Sequence, residues 1–259
     1  MDDSSKISCQ TFMSKFPEGL ISRTNPKNAV CGNCSAGDLA ICASLDDKMF
    51  AELNRIRVEK IISTNEVLFE EGSERKFVYT LREGMLRLFT SLPDGRRQIS
   101  VFLIPGDFLG LIDDRCHTQT VEAVVASRLC CFRKDALSEV MEKYPEIYHR
   151  LLYMMRESLR YAWENQFLLG RMTPLEKVAR FLVICIRQAR KTGFPDNPVH
   201  FAMNRRDIAD YLGLTVETVS RSFSRLKAQG IIRFIETNLV YIINISALCF
   251  AASMGDEYN

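Results

Sequence analysis

Three cysteines, Cys31, Cys34 and Cys42, fall within twelve residues in the spacing C-x2-C-x7-C. Thiolates are soft ligands for zinc or for iron–sulfur clusters, and either centre asks for four of them. The fourth must come from elsewhere in the chain. Cys130, Cys131 and Cys116 are the candidates, with Cys9 a weaker one. Gly32 and Gly37 suit a loop wrapped closely around such a centre. Spacing alone leaves three readings open: a cluster, a zinc site, or thiols without a metal. His117, His149 and His200 are scattered, without paired ligand spacing. A second group of residues could read DNA. Glu217 can accept from cytosine N4, and Arg221 can donate twice to guanine O6 and N7. Ser220 suits a thymine edge or a phosphate, and Val216 a thymine methyl. Arg205, Arg206, Arg225 and Lys227 would clamp phosphates, setting affinity rather than sequence.

These residues need elements to position them. Ile208-Ala209-Asp-Tyr-Leu212-Gly213-Leu-Thr-Val216-Glu217-Thr-Val219-Ser220-Arg221 predicts a helix-turn-helix. Ala209 lets two helices approach, and Gly213 tolerates positive φ at the turn. Leu212, Val216 and Val219 are expected to pin the pair to a core. Asn204 and Asp207 form a variant capping box at the first helix start. Thr173-Pro174-Leu175-Glu176 opens the preceding helix with an N-cap, a proline and a capping glutamate. After it, residues 191–199 read as a loop. Two apolar runs flanking Glu236-Thr-Asn238 predict a hairpin, so the segment is a winged helix-turn-helix.

Upstream, residues 45–56 have helical periodicity. From about 60 to 135 the pattern changes to short apolar runs, with Gly72, Gly84, Gly95 and Gly106 recurring every 11 or 12 residues. That spacing predicts a β-roll or barrel. A long helix is expected over Pro145–Leu169. Tyr148, Leu152, Met155, Leu159, Ala162, Gln166 and Leu169 alternate by four and three along it, the pattern of a coiled-coil seam. A two-fold DNA site asks for a homodimer, so Leu152, Met155, Leu159, Ala162 and Gln166 are the expected interface.

The division expected is 1–44, a flexible N-terminus carrying the cysteine motif; 45–144, a β-roll sensor domain; 145–170, the dimerisation helix; and 171–259, the winged helix-turn-helix. The fold class is α+β. With 47% apolar residues and a net charge of +2, the chain can build sizeable cores but does not announce a nucleic-acid binder by composition. The distribution does more: residues 171–259 carry 12 Lys/Arg against 8 Asp/Glu, whereas residues 1–170 carry 22 against 24. No apolar run approaches the ~20 residues that span a bilayer, and the first residues do not resemble a signal sequence. The expected location is therefore the cytoplasm, where nine cysteines point to metal or redox chemistry rather than disulfides. No acid–base or nucleophile constellation accompanies them, so an enzyme is not expected.

The cysteine motif, roll, heptad helix and winged helix-turn-helix together resemble the Crp/Fnr superfamily of bacterial transcription regulators, over about residues 31–250. Val216-Glu217-Thr-Val-Ser220-Arg221 looks like the recognition helix of the Fnr branch, since Crp-type regulators usually carry arginine where this chain has Val216. The resemblance implies a TTGAT-type inverted repeat, read by Glu217, Ser220 and Arg221, and activation through RNA polymerase, for which Leu92–Arg97 is a candidate surface. It also implies an oxygen-labile [4Fe–4S] cluster on Cys31, Cys34, Cys42 and Cys130, with Cys131 the neighbouring alternative. The seven-residue spacing before Cys42 is similar to that of the rhizobial FnrN and FixK relatives rather than the enteric form. Cyclic-nucleotide sensors of the superfamily carry a Phe-Gly-Glu turn and an arginine pair. Here the stretches are Phe108-Leu-Gly-Leu-Ile and Gln119-Thr120, which argues against a cyclic nucleotide. Ala162 replaces an aspartate of the enteric pattern, which makes dimerisation less costly. The competing expectation is a metabolite-gated regulator with zinc or free thiols at its N-terminus.

Overall fold

The computed structural model describes residues 34–43, 45–110 and 115–254. The order is a 3-10 turn (Gly37–Leu39), α1 (Asp47–Arg55), β1 (Arg57–Ile62), β2 (Val67–Phe69), β3 (Phe77–Ser91), β4 (Arg97–Leu103), β5 (Phe108–Leu109), β6 (Thr120–Arg133), α2 (Lys134–Lys143) and α3 (Pro145–Arg171). Then follow α4 (Pro174–Thr192), β7 (Val199–His200), α5 (Arg205–Leu212), α6 (Val216–Ala228), β8 (Ile232–Glu236), β9 (Leu239–Ile242) and α7 (Ile245–Ala251). The chain divides into two compact units, one running through Phe89 and Phe102–Met155, the other Thr90–Val101 and from Arg156 onward.

Six antiparallel strands form one sheet in the order β1-β6-β3-β4, with β2 on β6 and β5 on β3; the end of β3 and most of β4 fall outside the first unit. Glycine spacing predicts a strand break at Gly84, yet β3 runs straight through it. The register shifts between Leu81 and Leu86, and Gly84 has φ +96°. A Cβ there would lie 2.2 Å from Ser127 Oγ, so glycine serves a bulge and not a turn. β1, β2 and β3 pair along the long β6, and over Leu129–Arg133, where the register is unbroken, its side chains alternate between the two faces. Leu129 and Cys131 lie on one face and Cys130 on the other. Ile41, Leu45, Phe50, Leu53, Phe132, Leu137, Val140, Ile147 and Leu151 form a core beneath the cysteine loop. Each such side chain contributes about 1.5–3 kcal/mol by leaving water.

α3 is longer by two residues than its periodicity predicts. Of the expected seam, Tyr148, Leu152, Met155 and Leu159 are 44–54% exposed, and Ala162 and Gln166 are exposed as well. Trp163 and Phe167 widen this apolar stripe.

In the second unit, β7, β9 and β8 form a three-stranded sheet. The loop expected over residues 191–199 runs from Gly193 to Pro198, with the preceding helix reaching Thr192 and β7 taking Val199, and the Asn197 side chain bonds both the N–H and the carbonyl of Ile242. α2 and α7 also go beyond the sequence expectation. α4 opens with the expected capping box: the Glu176 carboxylate accepts from Thr173 N at 2.6 Å and from Ser253 Oγ at 2.6 Å. Those donors hold its pKa down, to about 2. A depressed carboxylate stabilises the fold above its unfolded pKa and loses that contribution as pH falls toward its folded value. The stability difference between the native chain and Glu176→Gln should therefore be widest above pH 4.5 and close by about pH 2. Denaturant titrations across that range would show it, and a gap that stays constant would count against this cap.

Candidate functional site

The first constellation lies in the first unit. Cys34, Cys42 and Cys130 line one cavity of about 60 Å³. Ala36, Ala40, Ile41, Phe50, Leu53 and Phe132 make most of its wall apolar. Cys34 and Cys42 come from the loop around the 3-10 turn, and Cys130 comes from β6. Strand alternation gives Cys130 this position, since Phe132, two residues on, shares the cavity and Thr80 is its cross-strand partner. Cys131 points the other way, 4% exposed, opposite Tyr79 and Val58. Burial, with Cys130 adding to it against the opposing pull of Lys60, pushes its thiol up to about 11. Cys116 is exposed and is not part of the cavity wall. Cys31 and Cys9 lie outside the described residues.

Charge in this cavity is one-sided. Arg57 Nη1 stands 3.9 Å from Cys130 Sγ, with its Nε on Asn54 Oδ1 at 2.9 Å. Arg82 also lines the wall and pairs with Glu59 at 2.9 Å. Thr80 Oγ1 is buried there without a hydrogen-bond partner. Among the described residues no three acidic, thiol or imidazole donors converge on a single ion. Soft sulfur donors, apolar walls and neighbouring guanidinium groups nevertheless fit a thiolate-held cluster, which is negatively charged and wider than one ion.

The second constellation lies in the second unit. Asn204 caps α5 by accepting from Asp207 N at 2.9 Å. Asp207 does not complete the box. Its carboxylate, 1% exposed, takes Arg97 Nη2 at 2.7 Å, while Asp210 takes Arg97 Nε at 2.9 Å. Arg97 is thereby committed to α5, which removes it from the surface suggested over Leu92–Arg97. Gly213 ends α5 with φ +61°. Lys177 Nζ reaches the last carbonyl, Leu212 O, at 3.1 Å, satisfying a helix end that would otherwise be orphaned. Burial alone lowers the pKa of Lys177.

Thr215 caps α6 and accepts from Thr218 N. Val219, Ser222, Phe223 and Leu226 form its buried face. Val216 does not join them. At 37% exposure it stands at the free start of α6, a correction to the core role expected for it. The reason is its place in the first turn, before the buried stripe begins. Glu217, Ser220, Arg221 and Arg225 share the exposed face. The Glu217 carboxyl is held low by its own backbone N–H and by the Thr215 side chain, with Arg221 adding to it. Arg206 is exposed at the start of α5. Arg205, expected as a phosphate clamp, lies 3.9 Å above the Phe223 ring and within 5.6 Å of Phe201 and Phe234, with a hydrogen bond to Thr237 O. Burial lowers its pKa. It is a cation–π strut between helix and wing rather than an outward charge.

A six-stranded sheet, a long helix and a winged helix-turn-helix in one chain are the parts of a DNA-binding transcription regulator. Residues 59–144 match the family described as "Cyclic nucleotide-binding domain" and residues 176–250 the one described as "Crp-like helix-turn-helix domain". The chain is 36% identical to the nitrogen fixation regulation protein FixK of Bradyrhizobium diazoefficiens, over 81% of this chain and 89% of that protein. It is 36% identical to the transcriptional activator protein FnrL of Cereibacter sphaeroides, over 88% of this chain and 92% of that one. The solved structure of FixK2 from Bradyrhizobium japonicum is similar at a TM-score of 0.71 and 33% identity, covering 76% of this chain and 97% of that chain. The chain belongs to the Crp/Fnr family, on its Fnr branch, and is a DNA-binding transcription regulator, not an enzyme. Among the described residues, no helix is long and apolar enough to cross a membrane.

Proposed function

We propose that this regulator is a homodimeric, oxygen-responsive activator of anaerobic or microaerobic genes in the cytoplasm, acting on a TTGAT-type inverted repeat and through RNA polymerase. Cys31, Cys34, Cys42 and Cys130 would hold a [4Fe–4S] cluster, which when bound supplies an oxygen-reactive iron–sulfur group. The observation that carries the reading is the common cavity of Cys34, Cys42 and Cys130, with Cys131 turned away into the core.

The chain's own residues do the rest. Cys34 and Cys42 draw the loop at residues 34–43 onto β6, and the apolar wall limits water at the thiols. Arg57 sets a positive charge against the Cys130 sulfur, as outer-shell donors to metal ligands do. α3 offers Leu152, Met155, Leu159, Ala162 and Gln166 to a second copy, and an exposed apolar stripe of this length is most stable when covered. The dimer presents two α6 helices, each with Val216, Glu217, Ser220 and Arg221 toward base edges and Arg206 and Arg225 toward phosphates. No cyclic nucleotide enters this reading. Arg87, a buried arginine of the roll, is taken by Glu122 and by Asn65 at 3.1 Å.

Anaerobic purification followed by an absorption spectrum and iron and sulfide analysis tests the proposal. A brown protein with about four iron and four sulfide per chain, bleaching in air, is expected. A colourless protein, or one carrying zinc, would sink the oxygen-sensing reading and leave a metabolite-gated regulator in its place.

A further inference from the structure

The cysteine loop is gripped from two directions within the first unit. On one side Leu39 rests on the Pro105-Gly106-Asp107 turn. Gly106 has φ +101°, and a Cβ on it would stand 2.4 Å from the Leu39 Cβ, so the loop seats where only glycine leaves room. On the other side is α3. Arg150 Nη2 donates to Asp38 O at 2.7 Å and to Ala40 O at 3.3 Å. These carbonyls bracket the end of the 3-10 turn, where backbone acceptors lack helical partners and a cation is favoured. Both lie in the stretch between Cys34 and Cys42. The same guanidinium stands 5.6 Å from the Tyr153 ring, which is 52% exposed on α3 beside Leu152.

We propose that Arg150 is a positioning residue that couples the path of the cysteine loop to the dimerisation face of α3. The inference rests on the cluster reading given above and deepens it. The carbonyls of Asp38 and Ala40 can meet one guanidinium together only while residues 34–43 follow this path. When Cys34 and Cys42 are released, the two acceptors no longer converge. Arg150 then loses the contacts that fix its side chain, and Tyr153 loses the cation beside its ring. Coupling needs no movement of α3 as a body. It needs only that one arrangement of Arg150 and Tyr153 suits a second copy better than the alternatives.

The experiment compares the native chain with Arg150→Met and Arg150→Lys, full length, in cluster-loaded and iron-stripped forms. Iron and sulfide are counted, and dimer dissociation constants are measured by anaerobic sedimentation. Arg150→Met is expected to hold as much iron as the native chain. Its loaded dimer should dissociate at a roughly ten-fold higher concentration, within the usual span of coupling between sites, while the stripped form is unchanged. Arg150→Lys keeps the charge without the fork of donors and should fall between. A loaded Arg150→Met dimer as tight as the native one overturns the relay. Equal weakening in loaded and stripped forms also overturns it, because that is a plain packing role. A native chain without iron overturns the cluster reading and the relay together, whereas an iron-loaded native chain with an unaltered variant overturns the relay alone.

Discussion

Cys130→Ala is expected to purify without iron, and Cys131→Ala with its full complement. The two residues are neighbours in sequence and identical in type, so only the strand separates them. Cys130 shares the cavity with Cys34 and Cys42 and has a guanidinium 3.9 Å from its sulfur. Cys131 is 4% exposed on the opposite face, opposite Tyr79 and Val58. Its sulfur cannot reach the loop unless the strand turns over. Loss of the Cys131 sulfur leaves a small void costing about 1 kcal/mol, within the ordinary range of core substitutions. Iron and acid-labile sulfide per chain, measured without air, decide the matter. Iron retained in Cys130→Ala and absent from Cys131→Ala would require β6 to pair in another register.

The second large effect concerns α6. Arg221→Ala should weaken binding to the inverted repeat by about 1–3 kcal/mol per half-site, roughly twice that for a dimer engaging both. It should also relax the preference at the base pair that Arg221 reads. Arg225→Ala on the same exposed face should behave differently, losing affinity for every sequence alike and reducing the salt slope by about one per subunit. Titrations of the native palindrome and of single base-pair variants, each at several salt concentrations, separate the two roles. Arg221→Ala that weakens all sequences equally would return that residue to the phosphate class. Arg205→Ala should act mainly through stability, since its guanidinium is packed among Phe201, Phe223 and Phe234.

What sequence could disclose here was whatever repeats or caps locally. The capping box at Thr173, the turn at Gly213 and the four-three alternation along α3 depend on near neighbours, and each is where spacing puts it. The local signals fail where a distant partner decides. Gly84 looks like a strand break until Ser127 shows why β3 needs a bulge there. Val216 is apolar, but the stripe that packs begins at Val219. Arg205 has a phosphate-binding charge, yet Phe201 from the loop after β7, Phe223 of α6 and Phe234 of β8 converge on it. The contacts that bear on the cysteine site join residues 73 apart for Arg57 and Cys130, and 112 apart for Arg150 and Asp38. No periodicity spans such distances. Arg97 and Asp207, 110 apart, are hidden for the same reason, although a buried carboxylate at a helix start always raises the question of its partner. β7 and α7 carry too few residues to establish a period, and α2 follows β6 directly with no side-chain cap to mark its start.

Adjacent cysteines on a strand have a bearing on how the protein is assembled. If β6 slipped by one residue during folding, a thiol would still face the loop, and metal could be captured in the wrong register. The same slip would turn Leu129 outward and bring Arg128 inward, inverting the whole row of side chains. Leu129 and Val121 are 0% exposed, so a slipped strand would give up core contacts along its length for one misplaced bond to metal. On the cluster reading, the apolar alternation of β6 would act as a proofreader of the site, and ligand choice would be set by side chains that never touch the ligand.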